Sequence, residues 1–237
     1  MINMFRSLIF IYVFSGITRA ATKINRKACN SESILDGWTF FWRNMTFRLE
    51  KSNYELCQRP DECVCVMSYF HPLKTGNHSM RRTFTYSNRS STYKVNGKKS
   101  ASIWPVARLN MTFYQSKGKS QYNGMNSTLL DTHFGYELPP PQWRFLISFP
   151  NCSVVRWRGR LSESQESGTT ESSGIEKKKW PKCELWTAHL QNGREDPVDN
   201  MQLRCCESIF KSKCETKKEY QVYNSTVCAL PGVVFPK

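Results

Sequence analysis

Short runs in which apolar and polar residues alternate recur along most of this chain. MTFRLEK (45–51), ECVCVMSYF (62–70), RRTFTYS (81–87), ARLNMTFYQ (107–115), STLLDTHF (127–134), WRFLISF (143–149) and CSVVRWR (152–158) all read as half-buried strands. An eighth begins at Cys183-Glu184-Leu185-Trp186. Within 62–70, strict alternation predicts Cys63, Cys65 and Met67 on one face and Val64, Val66 and Ser68 on the other. Pro150-Asn151 marks a turn, and Pro139-Pro140-Pro141 a stiff extended connector.

The period changes near the C-terminal end. Val198, Met201, Cys205, Ile209 and Phe210 recur at helical spacing. Asp196 suits the cap and Pro197 the first helical position. Arg204, Lys211 and Lys213 lie towards the far end, where the helix dipole favours cations. A short helix is also expected within 31–41, capped by Ser31 or Ser33.

About eight short strands followed by one amphipathic helix predict an all-β fold: an eight-stranded antiparallel barrel with a C-terminal α-helix packed outside and a short N-terminal helix. A barrel of this size closes its own edges and can hold one small ligand. An immunoglobulin-like sandwich fits less well, because a helix follows the last long strand and no Cys…Trp…Cys framework is present. Residues 21–237 are expected to form a single domain. Within it, the Ser/Glu/Lys-rich stretch 159–179 has too little apolar content to order itself and reads as a mobile loop.

Residues 1–20 change the picture of compartment. Arg6, the run LIFIYVFSGI and Thr18-Arg19-Ala20 have the layout of a secretory signal peptide. The apolar run is too short to span a bilayer comfortably. A secreted, extracellular protein oxidises its thiols, and the ten cysteines are even in number. Five bridges are expected. Cys205 and Cys206 are adjacent, so each should reach a different distant partner. Asn44, Asn77, Asn88, Asn110, Asn126, Asn151 and Asn224 each begin a glycosylation sequon. The formal net charge of +15 falls to +13 without Arg6 and Arg19. Such a basic surface suits an anionic glycosaminoglycan.

No catalytic constellation is present: no G-x-S-x-G, H-E-x-x-H, P-loop or G-x-G-x-x-G occurs. The four histidines are scattered. The paired CxxC spacing of a zinc site is missing. The expectation is a binding protein and not an enzyme, with no cofactor and no metal. Alternation places Glu184 and Trp186 on one strand face. If that face is inward, a carboxylate sits beside an indole in a low-dielectric interior. Such a pair suits a cationic amine by charge compensation and cation–π attraction. The competing reading is that Glu184 pairs with an Arg or Lys and merely closes the barrel.

CELW at 183–186, the Cys205-Cys206 pair, Cys214 and YQVYN leading to Cys228 resemble the C-terminal end of the tick salivary lipocalins. That family includes histamine-binding proteins. DGW before MTFRLE, ECVCVMSYF and FLISFPNCSVVRW extend the resemblance over most of the chain. The Gly-x-Trp signature of ordinary lipocalins is absent, and only Gly37-Trp38 stands near its place. The resemblance implies a lipocalin-like barrel that sequesters a small host mediator at a feeding site. A biogenic amine such as histamine or serotonin comes first, and an eicosanoid second. An inhibitor of host complement or chemokines, acting through its loops, is the alternative. A monomer is expected, without nucleic-acid or membrane partners.

The ligand-contacting candidates are Glu184, Trp186, Trp38 and Ser153. Glu184 and Trp186 match ligand-contacting positions of the family. Amine-binding members carry an Asp just after the cysteine of the preceding strand, where this chain has Ser153. The resemblance also implies Cys29–Cys205, Cys152–Cys206 and Cys183–Cys214. It takes one of Cys63 and Cys65 to Cys228, leaving the other for Cys57. The assignment adopted is Cys63–Cys228 and Cys57–Cys65.

Overall fold

A computed structural model describes residues 29, 34–58, 62–74, 77–95, 98–118, 120–158, 181–189, 200–214 and 218–228. The expected signal peptide (1–20), the loop 159–179, and Asp196, Pro197 and Val198 lie outside the described residues.

Eight strands run antiparallel around one circuit. They are β1 (Thr46–Ser52), β2 (Cys63–Lys74), β3 (Ser79–Val95), β5 (Val106–Tyr114), β6 (Gly124–His133), β7 (Gln142–Ser148), β8 (Cys152–Trp157) and β9 (Cys183–His189). β9 pairs back onto β1 from Thr46↔His189 to Ser52↔Glu184, which closes the barrel. The up-and-down order with a helix outside is lipocalin-like. Two strands lie off the circuit. β4 (Lys98–Ile103) folds back on the far half of β3, and its polar KKSASI sequence gives no alternation by which to foresee it. β10 (Tyr220–Gln221) pairs with the end of β1.

Alternation fills the interior. Phe47 and Leu49 of β1, Phe84 of β3, Leu109, Met111 and Phe113 of β5, Trp143 and Phe145 of β7 and Trp186 of β9 form one buried cluster. Helix α1 (Gly37–Phe41) closes one end of the barrel, where Phe40 and Phe41 are fully buried. Its cap is Asp36, whose Oδ1 accepts the Thr39 N–H at 2.7 Å; this corrects the expected Ser31 or Ser33. Arg82 of β3 ties that end together. Its Nε donates to Ser68 Oγ (2.8 Å), Nη1 to Phe41 O (2.9 Å), and Nη2 to Met45 O (2.7 Å) and Ser68 O (3.1 Å).

Helix α2 (Asn200–Cys214) covers the outer face of β7–β9. Its buried stripe centres on Cys206, Phe210 and Cys214, four residues apart, with Leu203 and Ile209 beside them. Met201, expected in that stripe, is 59% exposed. Cys29–Cys205, Cys152–Cys206 and Cys183–Cys214 fasten this layer.

The remaining two bridges correct the adopted assignment. They are Cys65–Cys228 and Cys57–Cys63, not Cys63–Cys228 and Cys57–Cys65. The cause is a break in β2. Cys65 has φ 58°, and the β2–β3 register shifts between Val64 and Met67. A bulge of this kind flips the faces that follow it. Cys63, Val66 and Ser68 therefore face inward together, and Cys65 turns outward. The bulge also opens the β1–β2 seam, and the tail enters it. Cys65 N–H donates to Val222 O (2.8 Å), and Val222 N–H to Glu50 O (2.9 Å).

Among the sequon asparagines, Asn44, Asn77, Asn126 and Asn224 are exposed, and Asn110 and Asn151 are half-buried. Asn88 is buried, and its Oδ1 accepts the Ser90 N–H and hydroxyl.

Candidate functional site

The end of the barrel opposite α1 is where side chains converge on a space. The β6–β7 pairing is short, ending at Asn126↔Gln142. Residues 134–141 must bridge the gap that follows, and Tyr136, Leu138, Pro139 and Pro141 become wall. The chain leaving β1 adds Tyr54, Glu55 and Leu56; β8 and β9 add Trp157, Lys182, Glu184 and Trp186. Val66, Phe84 and Trp143 form the floor. The enclosed volume is about 90 Å³. Rings occupy the rest of the interior: Trp143 and Trp186 lie 5.3 Å apart by centroid, and Phe84 is 6.1 Å from Trp186.

Among the described residues, Glu184 is the one buried carboxylate within this wall. Its neighbours are donors without charge. Trp186 Nε1–H donates to Oε2 at 2.8 Å, and the Tyr54 hydroxyl donates to Oε1. The Trp143 indole N–H is buried in the same wall without a hydrogen-bond partner, close enough to favour the ionised carboxylate. Burial pushes the Glu184 carboxyl above the usual range, against the opposing pull of Tyr54, Trp186, Trp143 and the Lys182 charge. Burial, then the Glu184 charge, holds the Tyr54 phenol well above its ordinary value. Tyr136 is raised for the same first reason.

Among the described residues, no Arg or Lys bonds to Glu184. Lys182 lines the mouth, but its ammonium lies over the rings of Tyr54 (4.8 Å) and Trp157 (5.6 Å). Chemically, the site is a buried carboxylate inside an aromatic box. It is suited to a small cation.

The structure brings together Glu184 and Trp186 of the sequence candidates. Trp38 is elsewhere. It stacks on Trp42 (4.5 Å) and meets Phe113 edge-on (5.5 Å) at the end closed by α1. Ser153 lies opposite Trp186 in register but does not line the cavity. It is fully buried, within 2.8 Å of Ser148 Oγ, and its hydroxyl donates to Ile147 O at 3.1 Å. Asp131, another carboxylate on a strand, pairs with Arg108 at 2.9 Å, and both are about 40% exposed.

Sequence reasoning missed Tyr54, Tyr136, Trp143 and Lys182 as site residues. Trp143 had a signal, since it alternates inward on β7. Tyr54, Tyr136 and Lys182 lie outside regular strands, where alternation says nothing about direction.

No family model matches this chain, and no curated protein matches it. Among solved structures, it is similar to "Japanin from Rhipicephalus appendiculatus bound to cholesterol". The identity is 11% and the TM-score 0.41, over 76% of this chain and 92% of that chain.

Proposed function

We propose that this chain is a secreted, non-enzymatic binding protein that sequesters a small organic amine in the Glu184 cavity. The observation that carries this is a buried carboxylate with aromatic walls and, among the described residues, no cationic side chain bonded to it. An unpaired buried charge is costly, and a ligand ammonium supplies the missing partner. Five disulfides suit an oxidising compartment. Among the described residues, no helix is long and apolar enough to cross a membrane.

Size favours an amine over an eicosanoid. The cavity's volume of about 90 Å³ is well below the roughly 300–1,000 Å³ of pockets that enclose drug-sized ligands. With one carboxylate instead of two, binding is modest. A hydrogen bond to a charged group contributes about 1.5–3 kcal/mol, so the missing acid weakens an amine by roughly tenfold to a hundredfold. Tryptophan-fluorescence titration with histamine, serotonin and a leukotriene tests this. Saturable quenching by an amine, abolished by Glu184→Gln, is the expected result. Tight leukotriene binding indifferent to Glu184→Gln would overturn the reading.

A second reading, an inhibitor that binds host proteins, is favoured by a different observation. Leu129, Leu130 and Phe134 are 46%, 47% and 64% exposed at the C-terminal end of β6, beyond its pairing with β7. Large exposed apolar side chains gathered in one stretch suit a protein contact. Loss of inhibition in a Leu130→Ser/Phe134→Ser variant, with amine titration unchanged, would support it.

A further inference from the structure

We infer that the outer face of β7 and β8, beside the C-terminal end of α2, is a docking site for a sulfated polysaccharide. Arg144 and Arg156 stand directly opposite each other in the β7–β8 register. Both point away from the interior, since their neighbours Trp143, Phe145 and Val155 belong to the barrel core. Side chains so paired have Cβ atoms about 5 Å apart, and like charges there repel. Among the described residues, no carboxylate pairs with them. Neither strand carries an Asp or Glu, and no ion pair involves either arginine among the described residues.

The arrangement is nonetheless fixed. Arg156 Nη2–H donates to Lys213 O, the carbonyl one residue before the end of α2, at 3.4 Å. Its Nε–H is buried without a partner. Arg158, next along β8, is held by the Tyr114 hydroxyl at 2.6 Å and lies 5.9 Å from the Tyr114 ring centroid. Lys211 and Lys213 are exposed on the last turn of α2. These cations lie on one outer face, and three of them are arginines, whose planar forks match oxyanions.

The other basic concavity differs. His71, Arg81 and Arg108 also surround a hollow, but Asp131 lies among them and pairs with Arg108. Among the described residues, the β7–β8 arginines have no acidic partner, on a chain whose formal charge is +15. A linear polymer of closely spaced sulfates matches an open strand face of this kind better than a single small anion does.

Heparin-affinity chromatography of the full-length protein in a salt gradient tests this. Arg144→Ser/Arg158→Ser spares the Arg156 contact to α2. Arg81→Ser/Arg89→Ser removes the same charge from β3, across the barrel, and serves as the control. The wild type is expected to elute above physiological salt, with the β7–β8 variant shifted to lower salt than the control. Fully desulfated heparin should not compete. Equal shifts in the two variants, elution of the wild type at or below physiological salt, or equal displacement by single-stranded DNA would each overturn the inference. None of these outcomes depends on what the Glu184 cavity binds.

Discussion

Trp186 donates its indole N–H to the carboxylate of Glu184, two positions earlier on the same strand, at 2.8 Å. The strand period of two puts both side chains on the inner face, so the contact is local to the Glu-Leu-Trp sequence. Its setting is not local. Tyr54, 130 residues away, donates to the other oxygen.

Glu184→Gln should therefore fold and keep its shape. The amide oxygen can accept from Trp186, and the amide N–H₂ can donate to the Tyr54 oxygen. Burial raises the folded-state carboxyl above its ordinary 4.5. The folded protein then holds this proton more firmly than the unfolded chain does. The contribution to stability is full below the ordinary value and is lost as pH rises through the raised one. Relative to Glu184→Gln, the wild type should lose stability from acid to neutral pH. Urea midpoints of both proteins across that range check it. Amine affinity needs the ionised carboxylate, so it should fall as pH drops through the raised value.

Lys182→Met tests the mouth. The Lys182 ammonium already occupies a cation position over Tyr54 and Trp157. Its charge acts on Glu184, so it also repels a bound ammonium there. Removing the lysine should strengthen amine binding by up to roughly tenfold and weaken any anionic ligand. Isothermal titration of both ligand types measures this, and unchanged amine affinity would count against Lys182 as part of the site.

The strands were legible in the sequence because each has one face in the core and one in water. The inward pairing of Glu184 with Trp186 follows from the same rule. The Cys65 bulge was not legible. A non-glycine residue at positive φ within a strand has no pattern signature, and strict alternation put Cys63 and Cys65 on one face. Nor was the direction of Tyr54, which follows β1 in a loop. Ser153 alternates inward as expected, but a hydroxyl between Ser148 and Ile147 is absorbed by the closed side of the barrel.

Arg82 should be more sensitive than any residue of the cavity. It is fully buried, and its cation is bonded to backbone carbonyls and Ser68, with no carboxylate contact among the described residues. Arg82→Met would strand the carbonyls of Phe41 and Met45. Each unsatisfied buried group costs about 1–3 kcal/mol. A loss of roughly 3 kcal/mol or more is expected in urea unfolding. Arg82→Lys should recover little of it, since an ammonium cannot reproduce the planar fork.

The two bridges of β2 should differ in a way that tests the corrected pairing. Cys65–Cys228 spans 163 residues, and Cys57–Cys63 spans 6. In the chain-entropy model, stabilisation grows as 1.5RT times the logarithm of loop length. The longer bridge should then contribute about 3 kcal/mol more than the shorter. It also holds the tail in the seam that the bulge opens. In Cys65→Ser/Cys228→Ser, the backbone bonds from Cys65 N–H to Val222 O and from Val222 N–H to Glu50 O lose their anchor. Amide exchange at positions 65 and 222 should accelerate while the β7–β9 amides under α2 stay protected. In Cys57→Ser/Cys63→Ser, the tail amides should exchange as in the wild type, with only a small drop in midpoint. A larger loss from the short-bridge variant would mean that Cys63 is partnered with the tail, and that β2 runs without its bulge.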